Sequence, residues 1–246
     1  MKASDDHWMK NIRGFLLDIT GVLYNSSPTG GCAIPGSVEA IQRLYNESRV
    51  CFLSNESTAT RENLLLKLER LGFRLNIRDV FTPAPLASKY VIEKQLRPHL
   101  LVHRGIVSEF ADCLTDEPKN CVVLGDAEDD FTYANLNAAF RILLQNQNAL
   151  LISLGCGRFY QRVEGPCLDL GAFAMALKYA SGCEHAVIGK PESEYFDNAV
   201  KYLNLRKDEV VMIGDDIMGD IVGAQNAGIR AIQVRTGKWS MLLIKF

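Results

Sequence analysis

The feature that most restricts how this chain can fold is the regular exchange of short, unbroken apolar runs with amphipathic stretches. Apolar runs fall at Phe15 to Leu17, Val50 to Leu53, Leu100 to Val102, Val122 to Leu124, Leu150 to Leu154, Val210 to Ile213 and Ala231 to Val234. Each has strand length and is bounded by Gly, Pro or Asp. Between them, Val38, Ile41, Leu44 and Tyr45 share one helical face, as do Leu64, Leu65, Leu68 and Leu71 ahead of Gly72, a helix stop. Phe196, Ala199, Val200 and Leu203 repeat at the same spacing within a helix expected from Ser193 to Leu203. Strands that are continuously apolar, rather than alternating, are buried on both faces. Interleaved with helices, they predict an α/β fold with a parallel sheet.

Composition limits what such a fold can hold. A chain of 246 residues, 48% hydrophobic, suffices for one large domain or two modest ones. With 27 Lys+Arg against 29 Asp+Glu, the net charge of -2 gives no basic field for nucleic acid or an acidic membrane surface, so any anion must be held by a local site. No apolar run approaches the ~18 residues of a membrane span, and the opening "MKASDDHWMKN" lacks the apolar segment of a secretory signal. Seven scattered cysteines without a CxxC pair fit reduced thiols, so a cytoplasmic protein is expected, or one that is nuclear as well. The four histidines form no metal-binding spacing.

In parallel α/β sheets ligands gather at the carboxyl ends of the strands. Four such ends are polar here. The first apolar run closes on Asp18 and Thr20, the second on Ser54, Asn55 and Glu56, and a later one on Gly214, Asp215 and Asp216, while "VIGKP" sets Lys190 ahead of the Ser193 helix. Acids, small donors and one lysine together suit a phosphate and a divalent cation. "TPAP" (Thr82 to Pro85) and "SGCEHAVIGKP" (Ser181 to Pro191) flank about a hundred residues with strands and helices of their own, which reads as an inserted second domain.

The stretches "DITGVLY", "FLSNES", "GKP" and "GDDIMGD", in this order, resemble the four motifs of the haloacid dehalogenase-like superfamily of phosphohydrolases. The long insertion between the second and third motifs resembles the C2 cap subtype. The resemblance implies a Rossmann-like, parallel-sheet core over residues 1–82 and 187–246, and an α/β C2 cap over 83–186. It further implies that Asp18 is the nucleophile that takes up the phosphoryl group as an aspartyl phosphate, a task suited to a group already anionic at neutral pH. Asp18, the carbonyl of Thr20 and Asp215 would hold Mg²⁺, which favours few carboxylates and several waters. Lys190 would neutralise charge between nucleophile and phosphate. Ser54, Asn55 and the backbone at Ile19 and Thr20 would donate to phosphate oxygens. Asp216 and Asp220 would orient Lys190 and the metal's waters, with a helix N-cap as the alternative for Asp220.

Two departures refine the expectation. Most phosphatases of the superfamily carry a second Asp two residues after the nucleophile, as general acid and base; here that place is Thr20. Losing such a group costs roughly 10² to 10⁴ in rate where the leaving group needs a proton. Imidazole, with a pKa near ~6.5, and phosphate leaving pyrophosphate need little such help. The resemblance itself implies a phosphohydrolase of phosphohistidine, phospholysine and inorganic pyrophosphate, and Thr20 fits such leaving groups. The alternatives are a small-metabolite phosphatase of the same superfamily, for which "GCGRFYQR" and "DAEDDFTYANLN" would be specificity segments, or a catalytically idle fold that binds proteins. Expected partners are phosphorylated small molecules or phosphohistidine and phospholysine proteins, and the resemblance suggests a homodimer. The second departure is the apolar tail "WSMLLIKF" after "RTGK", where the family continues with a further strand and helix.

Overall fold

The computed structural model describes residues 8–27, 30–145, 148–162 and 165–238, without the side chains of 161 and 162. The apolar tail from Trp239 to Phe246 lies outside the described residues. The chain divides into two compact units. The first runs through Ser54, resumes over Asn63–Phe81 and takes up the chain again from Lys190; the second comprises Asn55–Glu62 and Thr82–Gly189.

The first unit is built on a five-stranded parallel sheet in the order Arg230–Gln233, Val210–Gly214, Gly14–Leu17, Arg49–Leu53, Val80–Phe81. From Gly14–Leu17 the chain builds outward in one direction through Arg49–Leu53 and Val80–Phe81. On the other side it builds through Val210–Gly214 and Arg230–Gln233. The strand order therefore reverses between Gly14–Leu17 and Val210–Gly214, where Leu17 lies opposite Ile213. A crevice at the carboxyl ends of such a pair is where open α/β sheets bind ligands.

Helices cover this sheet through the faces their spacing predicts. Ser37–Glu47 buries Ile41, Arg61–Arg70 buries Leu64 and Leu68, and both join Leu17, Ile19, Leu23, Tyr24, Val50, Phe52, Phe73 and Val80 in one core. Ser193–Leu203 buries Tyr195, Phe196, Ala199, Val200 and Leu203 and ends on Asn204, whose φ of 51° stops the helix. Arg49 then fastens that end to the sheet, its guanidinium donating to the carbonyls of Leu203 and Asn204 at 2.5 and 3.1 Å. Each fully buried Phe or Leu in this core stabilises the fold by about 1.5–3 kcal/mol before entropy is counted.

The second unit carries a four-stranded parallel sheet in the order Glu184–Val187, Leu150–Ser153, Cys121–Leu124, Pro98–Leu101. The alternation of strand side chains splits its core in two. Cys121, Val123 and Ile152 pack with Ala84, Ala87 and Val91 of the helix Pro83–Glu93. Val122, Leu124 and Leu151 pack on the opposite face with Ala139 and Leu143 of Tyr133–Gln145 and with Ala174 and Leu177 of Leu170–Ser181. Both sheets are thus parallel and covered on two faces, as the continuous apolar runs require.

The structure departs from the sequence reading at the edges. "TPAP" opens the helix Pro83–Glu93, with proline at its first turn, where the missing amide hydrogen costs nothing. "SGCEHAVIGKP" contains the edge strand Glu184–Val187, too polar at its start to stand out. Against the expected boundaries at 82/83 and 186/187, the second unit begins at Thr82 and ends at Gly189, and Asn55–Glu62 belongs to it. The reason is visible at Ser57, whose hydroxyl accepts the amide of Asp126 at 3.2 Å. Among the described residues, no helix is long and apolar enough to cross a membrane.

Candidate active site

Asp18 follows the Gly14–Leu17 strand directly, and its amide continues the ladder by donating to the carbonyl of Ile213 at 2.9 Å. Asp215 follows Val210–Gly214 in the same way. Because these strands are neighbours in register, the two carboxylates emerge side by side at the reversal point, 7% and 2% exposed. The loop ahead of the Ser193 helix brings in Lys190, also buried, with Nζ 2.5 Å from Asp18 Oδ1 and 2.6 Å from Asp220 Oδ1. Oδ2 of Asp220 accepts the amides of Asp215 and Asp216 at 3.1 and 3.0 Å. Four residues from three separate stretches of the sequence thereby form one buried charged cluster.

The electrostatics follow from that burial. Desolvation pushes the Asp18 carboxyl up to about 6; Lys190 pulls it back down, and Asp215 adds to the rise. Asp220 is pushed up to about 6 for the same first reason, against Lys190. Burial lowers Lys190, but Asp18 and Asp220 more than offset this and keep it charged well beyond its usual range. Asp215 is also raised by burial, against the amide of Lys238 that donates to its Oδ2.

Ligand oxygens of Asp18, Asp215 and Asp220 all lie within 4.8 Å of one another. Three carboxylates face one ammonium, so the ionised cluster carries two negative charges in excess, which a divalent cation balances. Asp220 is engaged by Lys190 and two amides, which leaves Asp18 and Asp215 as the carboxylates for a hard, oxygen-seeking ion; the residues fit Mg²⁺. Glycine lets the backbone close on one of these acids. Gly21 (φ 93°) and Gly237 (φ 58°) approach Asp215 so closely that a Cβ on either would collide with its carboxylate.

Other expected residues fall as follows. Ile19 buries its side chain in the core and offers the site only its backbone. Thr20 is exposed, and its hydroxyl donates to Tyr24 Oη at 3.3 Å. Ser54 closes the Arg49–Leu53 strand in the first unit; its carbonyl accepts the hydroxyl of Tyr195 at 2.8 Å, a partner no local pattern announced. Asn55 belongs to the second unit, its side chain set against Gly155 and Gly189. Asp216, expected to orient Lys190, instead accepts the amides of Met218 and Gly219 at 3.0 Å each and pairs with Lys238 Nζ at 3.0 Å. The helix cap is Asp216, and the acid that grips the lysine is Asp220. Burial opposes ionisation of Asp216, but Lys238 and the Gly219 amide outweigh it and hold the carboxyl low.

A haloacid dehalogenase-like hydrolase model matches residues 15–115, and a HAD-hydrolase-like model matches residues 187–241. The phospholysine phosphohistidine inorganic pyrophosphate phosphatase of Rattus norvegicus is 48% identical over 232 residues, which span 94% of this chain and 86% of that protein. The chain belongs to the haloacid dehalogenase-like hydrolases. A second member of this family, the haloacid dehalogenase-like hydrolase domain-containing protein 2 of Bos taurus, is 39% identical over 93% of the chain and 86% of its own length. A crystal structure of a 4-nitrophenylphosphatase from Thermotoga maritima superposes on this hydrolase with a TM-score of 0.85 at 25% identity, covering 97% of this chain and 92% of that one. The buried cluster of Asp18, Lys190, Asp215 and Asp220 lies in the two stretches that the family models match.

Proposed function

We propose that this hydrolase is a Mg²⁺-dependent phosphatase that acts through an aspartyl phosphate at Asp18 on phosphohistidine, phospholysine and inorganic pyrophosphate. The observation that carries the reading is the ion pair of Lys190 with Asp18 at 2.5 Å inside a buried, doubly negative cluster at the strand reversal. A buried carboxylate beside a fixed ammonium is a nucleophile whose partner also attracts the anionic substrate. The Rattus norvegicus relative, named for those three substrates, supports the substrate class.

Asp18 attacks phosphorus in line with the leaving group, and Lys190 balances charge on the transferring oxygens while holding the carboxylate in place. Asp220 keeps Lys190 aimed and takes no part in bond making. The backbone at Ile19 and Thr20, with Ser54, would donate to phosphate oxygens. Asp18, Asp215 and the Thr20 carbonyl would hold Mg²⁺, whose charge offsets that of the phosphoryl oxygens when bound. Thr20 supplies no strong acid to the leaving group, which favours imidazole, amine and phosphate leaving groups over alkoxides. All seven cysteines are free thiols, which fits the cytosol, or the nucleus as well, as the working compartment. A homodimer completes the proposal.

The test is release of inorganic phosphate from phosphohistidine, pyrophosphate and a sugar phosphate, with Mg²⁺ or with EDTA, by the natural chain and by Asp18→Asn. Magnesium-dependent release lost in Asp18→Asn, fastest from the first two substrates, supports the reading. Preference for the sugar phosphate points to a small-metabolite phosphatase. A folded, magnesium-binding chain that releases no phosphate is a binding module.

A further inference from the structure

Behind the exposed Thr20 lies a polar pair, the buried Tyr24 and the half-buried Lys67, with no part in the chemistry above. Tyr24 is 1% exposed, and its phenolic oxygen receives two donors: the Thr20 hydroxyl at 3.3 Å and Lys67 Nζ at 2.9 Å. The ammonium of Lys67 also sits 4.5 Å from the centroid of the Tyr24 ring, so its place is fixed by both the oxygen and the π face. The backbone fixes the other end. Thr20 and Tyr24 form an isolated bridge, and the Gly21 amide donates to the Tyr24 carbonyl at 2.8 Å. Lys67 fills one acceptor position of this buried phenol. The added contact to Thr20 links the core to the residue beside the nucleophile.

An ammonium can only donate, so Lys67 occupies one lone pair of the Tyr24 oxygen, and the Thr20 hydroxyl donates to the other. A threonine hydroxyl has one proton, and here that proton is committed to Tyr24. Its lone pairs are left to accept. We propose that Lys67 and Tyr24 are positioning residues that hold the Thr20 hydroxyl as a hydrogen-bond acceptor for the water that hydrolyses phosphorylated Asp18. This rests on the reading of Asp18 as the nucleophile. In that step the water oxygen bonds to phosphorus while the bond from phosphorus to the Asp18 oxygen breaks, and Asp18 keeps the electron pair as a carboxylate. One water proton stays on the phosphate as it leaves, and the other passes to solvent. Thr20 orients the water without keeping its proton, so no group of high basicity is needed there.

The pair should then affect loss of the phosphoenzyme, not its formation. The probe is radiolabelled pyrophosphate with Mg²⁺, acid-quenched over time, on the natural chain, Tyr24→Phe, Lys67→Met, Thr20→Val and Asp18→Asn. Expected are loss of label slowed by about threefold to tenfold in Tyr24→Phe and Lys67→Met, the size of one hydrogen bond, and a larger labelled fraction in steady state. The rate of label uptake and the KM for pyrophosphate stay as in the natural chain. Thr20→Val shows the same defect, and adding Tyr24→Phe to it costs nothing more. Equal slowing of uptake and loss, or an unchanged lifetime, overturns the inference. Lys67→Met decides the matter if Tyr24→Phe does not fold. If Asp18→Asn abolishes labelling while lifetimes do not move, only this inference falls; if no chain is labelled at all, the reading of Asp18 falls with it.

Discussion

Lys190 lies as close to Asp220 as to Asp18: its Nζ is 2.6 Å from Asp220 Oδ1 and 2.5 Å from Asp18 Oδ1. A lysine shared between a reacting acid and a non-reacting one keeps a partner when the first becomes esterified to phosphate. Asp220 is fully buried and also accepts two amides, so it cannot trade its contacts for water. Removing one member of such a buried pair costs roughly 3–5 kcal/mol. Asp220→Ala is therefore expected to lose that much stability in urea unfolding and to lower kcat at saturating substrate. Asp220→Asn, which keeps one amide acceptor, should lose less of both.

Acid stability should report on the second unit through His185. Its Nε2 is 2.8 Å from Ser153 Oγ, and the Ser153 hydroxyl donates to the Gly155 carbonyl at 2.7 Å, so His185 supplies the proton of the shared bond as the neutral Nε2–H tautomer. Burial first, and Lys178 second, lower the affinity of this imidazole for a further proton. The folded state then binds fewer protons than the unfolded one below the ordinary value of 6.5, so stability rises with pH through that window. The contribution is fully present above 6.5 and is lost as pH falls toward the folded value. Urea midpoints of the natural chain should thus drop more steeply from pH 7 to pH 5 than those of His185→Gln; parallel pH curves would refute the assignment.

The glycines around Asp215 carry a prediction about metal. With Mg²⁺ at 100 times its dissociation constant, the natural chain should gain about 2.7 kcal/mol in unfolding free energy. Asp215→Asn should forfeit most of this. So should Gly21→Ala, because a methyl group there meets the Asp215 carboxylate. The φ of 93° also makes Gly21→Ala less stable without metal, so the quantity to compare is the increment on adding Mg²⁺.

Much of this was legible in the sequence, because continuous apolar runs and 3.6-residue spacing are local signals of a covered parallel sheet. Asp18, Asp215 and Lys190 could be found because each closes or follows such a run. What stayed hidden was non-local or depended on side-chain direction. Asp216 and Asp220 are four residues apart, and spacing alone does not tell which caps a helix and which turns inward to Lys190. Lys67 and Tyr24 are separated by 43 positions and carry no shared pattern. Gly21 and Gly237 matter only because folding brings both to one carboxylate. The edge strand Glu184–Val187 escapes the apolar signal because its first two residues, Glu184 and His185, are polar.

Thr20 sets the final expectation, since it decides which leaving groups this site serves. Thr20→Asp places a carboxyl within reach of Tyr24 Oη, the group that the Thr20 hydroxyl now meets at 3.3 Å. An acid there can protonate an alkoxide as it departs, a contribution of roughly 10² to 10⁴ in rate. Imidazole and phosphate leave without that help, so they gain far less. Hydrolysis of a sugar phosphate by Thr20→Asp should therefore rise by about 10² or more, while hydrolysis of phosphohistidine changes little. The ratio of the two kcat/KM values is the quantity to measure, because a general change in folding or metal affinity moves both together. Equal gains on both substrates would mean that position 20 limits a step common to them, the attack of water on phosphorylated Asp18, and that leaving-group chemistry is selected elsewhere.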